Sequence, residues 1–178
     1  MTLFGPVMQL GFVVPDLEAA ARHWASLGVG PFFVLENIDF GAGRCEYRGS
    51  PVKFTMSAAL AQWGAVQVEL IQQSDASVRT IYTDFARAKG SGLQHLGVMT
   101  RSVDADLATL AARGIRPTQH GETANGIRFA YVETDELPGG HPGGMIELIE
   151  HGPAIDGFFA MVKKAADGWD GRDPLRRL

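Results

Sequence analysis

The sequence has 178 residues, of which 46% are hydrophobic and 20% are charged, and its formal net charge is −4. This composition is typical of a globular protein with one core, and the negative balance argues against nucleic acid or an anionic membrane as a partner, since clustered Lys and Arg hold such partners. The lone Cys45 cannot form an internal disulfide, and the N-terminal segment has neither the basic start nor the apolar length of a signal peptide or membrane span. We therefore expect a single cytoplasmic domain over residues 1–178.

The chain contains an internal repeat. Residues 9–31, QLGFVVPDLEAAARHWASLGVGP, align without a gap with residues 95–117, HLGVMTRSVDADLATLAARGIRP. A second similarity, between VQVELIQ around Glu69 and GMIELIE around Glu147, follows at the end of each half. The sequence therefore predicts two modules of one design, residues 6–73 and 92–151. Identical residues fall at Leu10/Leu96, Gly11/Gly97, Ala19/Ala105, Ala25/Ala111, Gly28/Gly114 and Pro31/Pro117.

The first module is predicted to have the order strand, helix, strand, strand, strand. After an apolar run of strand length, Asp16 is placed to cap a helix with apolar residues at helical spacing, and Gly28 ends it. A β-branched and aromatic strand follows, and a hairpin then turns at Trp63-Gly64. The predicted strands are residues 7–14, 31–40, 53–63 and 65–72, separated before the hairpin by a Gly-rich bend.

The second module repeats this order after an amphipathic linking helix within residues 74–91, for which Ser74 or Asp75 could serve as cap. Its predicted elements are strand 92–100, helix 102–113, strand 116–121, an Asn125-Gly126 turn, strand 127–135 and strand 145–150. The Gly-rich stretch 137–144 leads into a strand rather than a helix, so we predict a flexible loop and no phosphate site. Residues 152–178 are predicted to form an amphipathic helix reaching Trp169 and a tail, and the helix could pack or close over a site.

Four polar residues interrupt the apolar pattern of the strands at equivalent positions of the two modules. Period-two alternation gives Gln9 and His95 matching places in the first strands, while Glu69 and Glu147 match in the fourth strands. Each residue alone could be a hydrogen-bonded core residue. A carboxylate within such a strand is costly unless it is paired or binds a metal, and two modules that form one cup would bring all four together. We therefore predict one divalent ion, Zn, Ni, Co, Mn or Fe, at these four residues.

The same alternation predicts the wall of a pocket. Phe129 and Tyr131 share a face of one strand, and Met56 and Leu60 share a face of the hairpin. We predict these four residues to bind the substrate. An apolar pocket with few polar groups suits a small carbonyl compound with a hydrophobic or ring-bearing portion.

These paired modules, over about residues 6–151, resemble the vicinal oxygen chelate superfamily, which includes glyoxalase I, methylmalonyl-CoA epimerase, extradiol dioxygenases and bleomycin-resistance proteins. The resemblance implies an α+β fold in which two βαβββ modules form a cupped mixed sheet, with metal ligands at Gln9, Glu69, His95 and Glu147. Gln9 stands where epimerases have His, as in eukaryotic-type glyoxalase I, and a common His-His pair is Gln94-His95 here. The epimerase base, a Glu in the third strand, would fall near Ser57, which cannot serve as a base.

The ligand set favours chemistry without oxidation or reduction. Fe(II) sites that activate oxygen use two His and one carboxylate, but only one His is present here. We therefore predict a metal-dependent isomerase or lyase acting through a metal-stabilised enediolate, with Glu147 as base by resemblance to glyoxalase I and Glu69 as ligand or partner acid. The alternatives are a metal-free binding or resistance-type protein and an extradiol-type dioxygenase. The cup could close within one chain or by exchange of modules in a homodimer.

Overall fold

One mixed sheet dominates the computed structural model, which describes residues 4–134 and 144–178. The helices are α1 Leu17–Ser26, α2 Ile81–Lys89, α3 Val103–Ala111 and α4 Pro153–Ala166. The strands within these residues are β1 Val7–Val13, β2 Phe32–Asp39, β3 Arg44–Tyr47, β4 Ser50–Pro51, β5 Thr55–Trp63, β6 Val66–Gln73, β7 Gly92–Thr100, β8 Gln119–Glu122, β9 Arg128–Glu133, β10 Met145–Glu150 and β11 Leu175–Arg177.

The two modules have the same strand order and join edge to edge. In the first, β1 pairs in parallel with β6, followed by antiparallel β5 and β2, and the second repeats this as β7, β10, β9 and β8. β1 and β7 pair antiparallel at the junction, so an approximate twofold axis relates the modules. The predicted α+β class with two βαβββ modules is confirmed. Because one chain supplies both halves of the cup, a homodimer stays a prediction that the fold does not require.

Helices α1 and α3 cover the convex face of the sheet and thereby fix which side chains face the cup. Asp16 caps α1 as predicted, its carboxylate accepting from the Ala19 N–H at 2.9 Å, and Ser102 caps α3 in the same way. α1 buries Leu17 and Ala21 in the same cluster as the β6 residues Val68 and Leu70. The alternate β6 residues, among them Glu69, must therefore face the concave side.

The linking helix begins later than predicted. Thr80 caps α2, and its hydroxyl and that of Thr83 form a reciprocal capping box. Ser74 instead extends the hairpin, donating its N–H to Thr55 O, and Asp75 accepts from Ser77 N in a tight turn. Both earlier cap candidates thus have other partners, which makes the cap prediction wrong.

The hairpin β3–β4 occupies the segment that the sequence indicated only as a Gly-rich bend. It turns at Arg48 and Gly49, which both have positive φ, the geometry of a two-residue hairpin loop. β3 pairs with β8 of the second module, and a Cβ on Gly121 would lie 2.2 Å from Arg44 O, so this close approach requires glycine. The hairpin therefore extends the second module's sheet and ties the modules together.

The C-terminal tail forms a strand that was not predicted. α4 ends at Ala166 rather than continuing to Trp169, whose ring packs against Gly30, and β11 then pairs in parallel with β2. α4 packs against β5 on the concave face, with Val162 buried in the core there. Of the predicted Gly-rich loop 137–144, residues 137–143 lie outside the described residues. No described helix is long and apolar enough to cross a membrane.

Candidate metal centre

The junction of β1 and β7 brings the four predicted ligand residues to the floor of the cup. Gly11 on β1 is the register partner of both His95 on β7 and Glu69 on β6. Gly97 on β7 is likewise the partner of Gln9 and Glu147. Each glycine thus lies between two candidate ligands, and the second pair is the image of the first under the approximate twofold axis.

The two glycines leave the space that the ligand side chains occupy. A Cβ on Gly11 would lie 1.8 Å from His95 Cε1, and a Cβ on Gly97 would lie 2.8 Å from Gln9 Oε1. Neither glycine has a positive φ, so the constraint here is room and not backbone conformation. The glycine shared by the two modules at positions 11 and 97 therefore makes room for the ligand side chains of the site.

Three of the four residues form a cluster that could hold a metal ion. His95 Nε2 lies 3.2 Å from Glu147 Oε2 and 3.4 Å from Glu69 Oε2, and the ligand atoms of the three residues lie within 4.8 Å of one another. Despite these distances, His95 Nε2 makes no aligned hydrogen bond, and neither does the buried Gln9 Oε1. Buried polar atoms without an aligned hydrogen-bond partner are rare in folded proteins. Two such atoms beside two carboxylates are suitable ligands for a divalent ion, so the residues present fit a metal site.

Gln94 sets the tautomer of His95. The amide oxygen of Gln94 lies 2.7 Å from His95 Nδ1, and its NH₂ group donates to Met145 Sδ at 3.0 Å. Because an amide oxygen only accepts, Nδ1 carries a proton, and Nε2 faces the carboxylates, where it could bind a metal ion in place of its own proton. Sequence reasoning missed this role because the register shifts by one residue at Gln94, which breaks the period-two pattern.

The charges of the cluster are strongly coupled. Burial lowers the pKa of His95, but the carboxylates of Glu147 and Glu69 outweigh it and raise the pKa to about 9. Burial, reinforced by the charge of Glu147, raises the pKa of Glu69, and the His95 contact opposes this. A bound cation would replace the proton of His95, so metal affinity should fall as the pH is lowered.

A cavity of about 330 Å³ lies above the cluster. Gln9, Glu69 and Glu147 reach its floor, and the fully buried His95 lies beneath them. All four predicted wall residues line it: Met56, Leu60, Phe129 and Tyr131. Ser57 instead lines a groove on the opposite face of β5 beside Glu36 and Gln72. The site positions are therefore brought together by the fold, while their roles in binding stay predictions.

Further wall residues come from elements that strand patterns could not assign to the cavity. Tyr82 reaches it from α2, and Phe158 and Phe159 reach it from α4. The Tyr82 and Tyr131 hydroxyls lie 2.9 Å apart, and burial first, then the charge of Glu147, raises the pKa of both well above the usual value. Both phenols therefore stay protonated, and Tyr131, the register partner of Glu147, can donate to its carboxylate.

Comparison with known structures finds the same architecture at low sequence identity. Methylmalonyl-CoA epimerase from Mycobacterium tuberculosis has a TM-score of 0.62 and 21% identity, covering 88% of this chain and 95% of that one. A hypothetical protein from Bacillus halodurans C-125 has a TM-score of 0.59 and 16% identity, covering 83% and 94%. A Streptomyces coelicolor methylmalonyl-CoA epimerase in complex with 2-nitronate-propionyl-CoA has a TM-score of 0.53 and 19% identity, covering 84% and 96%.

These similarities show a shared fold. Comparison with curated protein sequences gave no match. The family model described as the Glyoxalase/Bleomycin resistance protein/Dioxygenase superfamily matches residues 8–131, which is more than half of the chain. The repeat, the paired modules and this match together establish that the chain belongs to the vicinal oxygen chelate superfamily.

Proposed function

We propose that the protein is a divalent-metal-dependent isomerase or lyase that moves a proton next to the carbonyl group of a small molecule. The observation that carries this proposal is the convergence of Gln9, Glu69, His95 and Glu147 at the floor of an apolar cavity, where Gln9 Oε1 and His95 Nε2 are buried without an aligned hydrogen bond. A site of this kind combines charge stabilisation with a base in a small volume.

The four residues would hold the ion through one imidazole nitrogen and amide and carboxylate oxygens, a set that suits Zn, Ni, Co, Mn or Fe. The bound ion would supply a Lewis acid that polarises the substrate carbonyl. Only one histidine is part of this set, which does not match the two-histidine site of oxygen-activating Fe(II) enzymes.

Glu147 is the proposed base. The β5 side chains that face the cavity, Met56, Ala58 and Leu60, have no ionisable group, so this strand offers no base. A hydrogen-bond donor opposite a carboxylate can orient it for proton transfer. Tyr131 lies opposite Glu147 and can be that donor, whereas Leu60 lies opposite Glu69 and cannot. This difference between the modules favours Glu147 as base and Glu69 as ligand or partner acid.

Metal content tests the proposal. Protein purified without a His tag is expected to contain close to one equivalent of a divalent transition metal by elemental analysis, and His95→Ala is expected to lose it because Nε2 is the single nitrogen of the set. His23→Ala, at an exposed position of α1, is the control and should retain the ion. Full occupancy in the His95→Ala protein would rule out this centre.

Oxygen dependence separates this proposal from a dioxygenase. Turnover is expected to persist under anaerobic conditions and with redox-inert Zn²⁺ or Mg²⁺, because proton transfer needs no electron acceptor. The measurement is product formation with an oxygen electrode in parallel. Oxygen consumption coupled to catechol cleavage would refute the redox-neutral assignment.

The alternative is a metal-free binding protein of the resistance type, which the apolar cavity favours. In that case small molecules would bind equally well before and after treatment with a chelator. Protein that carries no metal as purified, and whose ligand affinity is unchanged by added Zn²⁺, would establish this alternative.

A further inference from the structure

The charged side chains among the described residues of the cavity wall are all acidic. Among the described residues that line it, none is lysine, arginine or histidine, and the acidic residues are Glu69 and Glu147. Arg128, which precedes the wall residue Phe129, pairs with Asp104 and Glu150 instead. An anionic substrate would therefore find no cationic side chain in the described part of the wall.

The metal does not supply a spare positive charge. Two carboxylates balance the charge of one divalent ion, and Gln9 and the Nδ1-protonated His95 are neutral ligands. An anionic group in this cavity would meet neutral polar side chains, Thr123, Asn125 and Tyr82, but no counter-charge, which disfavours its transfer from water. The site therefore suits a substrate that is uncharged when it binds. The negative charge that the site must stabilise then develops on the substrate as its proton is removed.

Aromatic side chains line much of the cavity wall above the metal-ligand cluster, and α4 supplies two of them. Phe158 and Phe159 of α4 face the cavity, with ring centroids 6.0 Å apart. Phe40 and Phe129 meet edge to face at 5.6 Å on the wall formed by the sheet. α4 follows the second module in the chain, so this part of the wall comes from outside the two βαβββ modules. At about 330 Å³, the cavity falls within the size range of small-molecule pockets and is large enough for a substituted ring.

We infer, building on the proposed function, that the substrate is an uncharged carbonyl compound with a ring-bearing apolar body, and that carboxylates, including the carboxylated acyl group of methylmalonyl-CoA, are excluded from the cavity. α4 is then the element that selects the apolar body. The residues of the cavity wall thus determine which class of substrate binds, while the residues of the floor determine the reaction.

Matched ligands test this inference. Methyl 4-acetylbenzoate and 4-acetylbenzoate share the ring and the ketone and differ in one charge. Isothermal titration calorimetry with the Zn²⁺-loaded protein is expected to give about 10- to 100-fold tighter binding of the ester, the scale that follows from burying an unpaired polar group. Acetophenone is expected to behave as the ester does, and methylmalonyl-CoA, the ligand of one structural neighbour, is expected to show no saturable binding.

A charge-introducing variant provides the second arm. Ile38→Lys places a cation on the half-buried wall of the cavity and is expected to strengthen binding of 4-acetylbenzoate at least about 10-fold. Thr109→Lys adds the same charge at an exposed position of α3 and should leave the ester preference unchanged.

The outcomes separate this inference from the metal proposal. The titrations are repeated on chelator-treated protein, where the two carboxylates lack a counter-ion and the ester preference should increase. Absence of metal from the tag-free protein would end the proposed function and leave the ester preference standing. Equal or tighter binding of the carboxylate, saturable binding of methylmalonyl-CoA, or no binding of any uncharged ketone would overturn the inference.

Discussion

Glu147→Gln is expected to slow exchange of the substrate's α-proton with solvent by at least ~10²-fold, the usual scale of general-base catalysis. The amide keeps the size of the side chain and one oxygen ligand beside His95, but it cannot accept a proton. The metal should therefore be largely retained. Deuterium incorporation into a bound ketone, followed by NMR in D₂O, measures the exchange, and elemental analysis measures the metal.

Glu69→Gln is the matched control, since the approximate twofold axis relates its position to that of Glu147. Because Glu69 faces Leu60 rather than a tyrosine, its replacement should reduce exchange much less than replacement of Glu147. If Glu147→Gln retained its metal and exchanged protons at the original rate, the proton transfer would belong to another group. A larger loss in Glu69→Gln would exchange the two roles.

Gly11→Ala is expected to remove the ion and destabilise the fold. The added Cβ would overlap the His95 ring, with contacts of 1.8 Å to Cε1 and 2.1 Å to Nε2. His95 is 1% exposed and cannot move aside without displacing its neighbours. Such overpacking costs about 2 kcal/mol. We expect the melting temperature of the chelator-treated protein to fall by roughly 4–8 °C, and metal content to fall at least about 10-fold as His95 leaves its position.

Substitutions at two other glycines are controls for the effect of Gly11→Ala on melting temperature and metal content. Gly157→Ala, in the exposed face of α4 where a Cβ would meet nothing within 4 Å, should be neutral or slightly stabilising. Gly97→Ala should be intermediate, because its contacts, 2.8 Å to Gln9 Oε1 and 2.9 Å to Gln9 Cβ, are less severe than the overlap at Gly11. If Gly11→Ala matched Gly157→Ala in melting temperature and metal content, the packing argument for the site would be wrong.

The repeat made the centre of the fold predictable. Because the modules align without a gap, a position assigned in a strand of one module applies to the same strand of the other. Alternation in the first and fourth strands was therefore enough to predict that Gln9, Glu69, His95 and Glu147 lie together. The same alternation identified Met56 and Phe129 on the concave face. These predictions depend on local periodicity and symmetry, which are properties of the sequence itself.

The elements that were missed depend on long-range contacts. β3, β4 and β11 are two to four residues long, too short for a period to be detected, and each exists because another strand offers a free edge. Gln94 reaches His95 through a register shift that breaks the alternation. The contribution of Phe158 to the cavity depends on where α4 packs, and its helical spacing predicts an apolar face but not what that face covers.

Anomalous X-ray scattering from crystals of the tag-free protein grown with Mn²⁺ or Zn²⁺ tests the metal centre most directly, because it needs no substrate. The expected result is one dominant anomalous peak bounded by Gln9 Oε1, His95 Nε2 and the carboxylates of Glu69 and Glu147. Absence of a peak at this position, or peaks only at surface side chains, would contradict a metal centre at the floor of the cup.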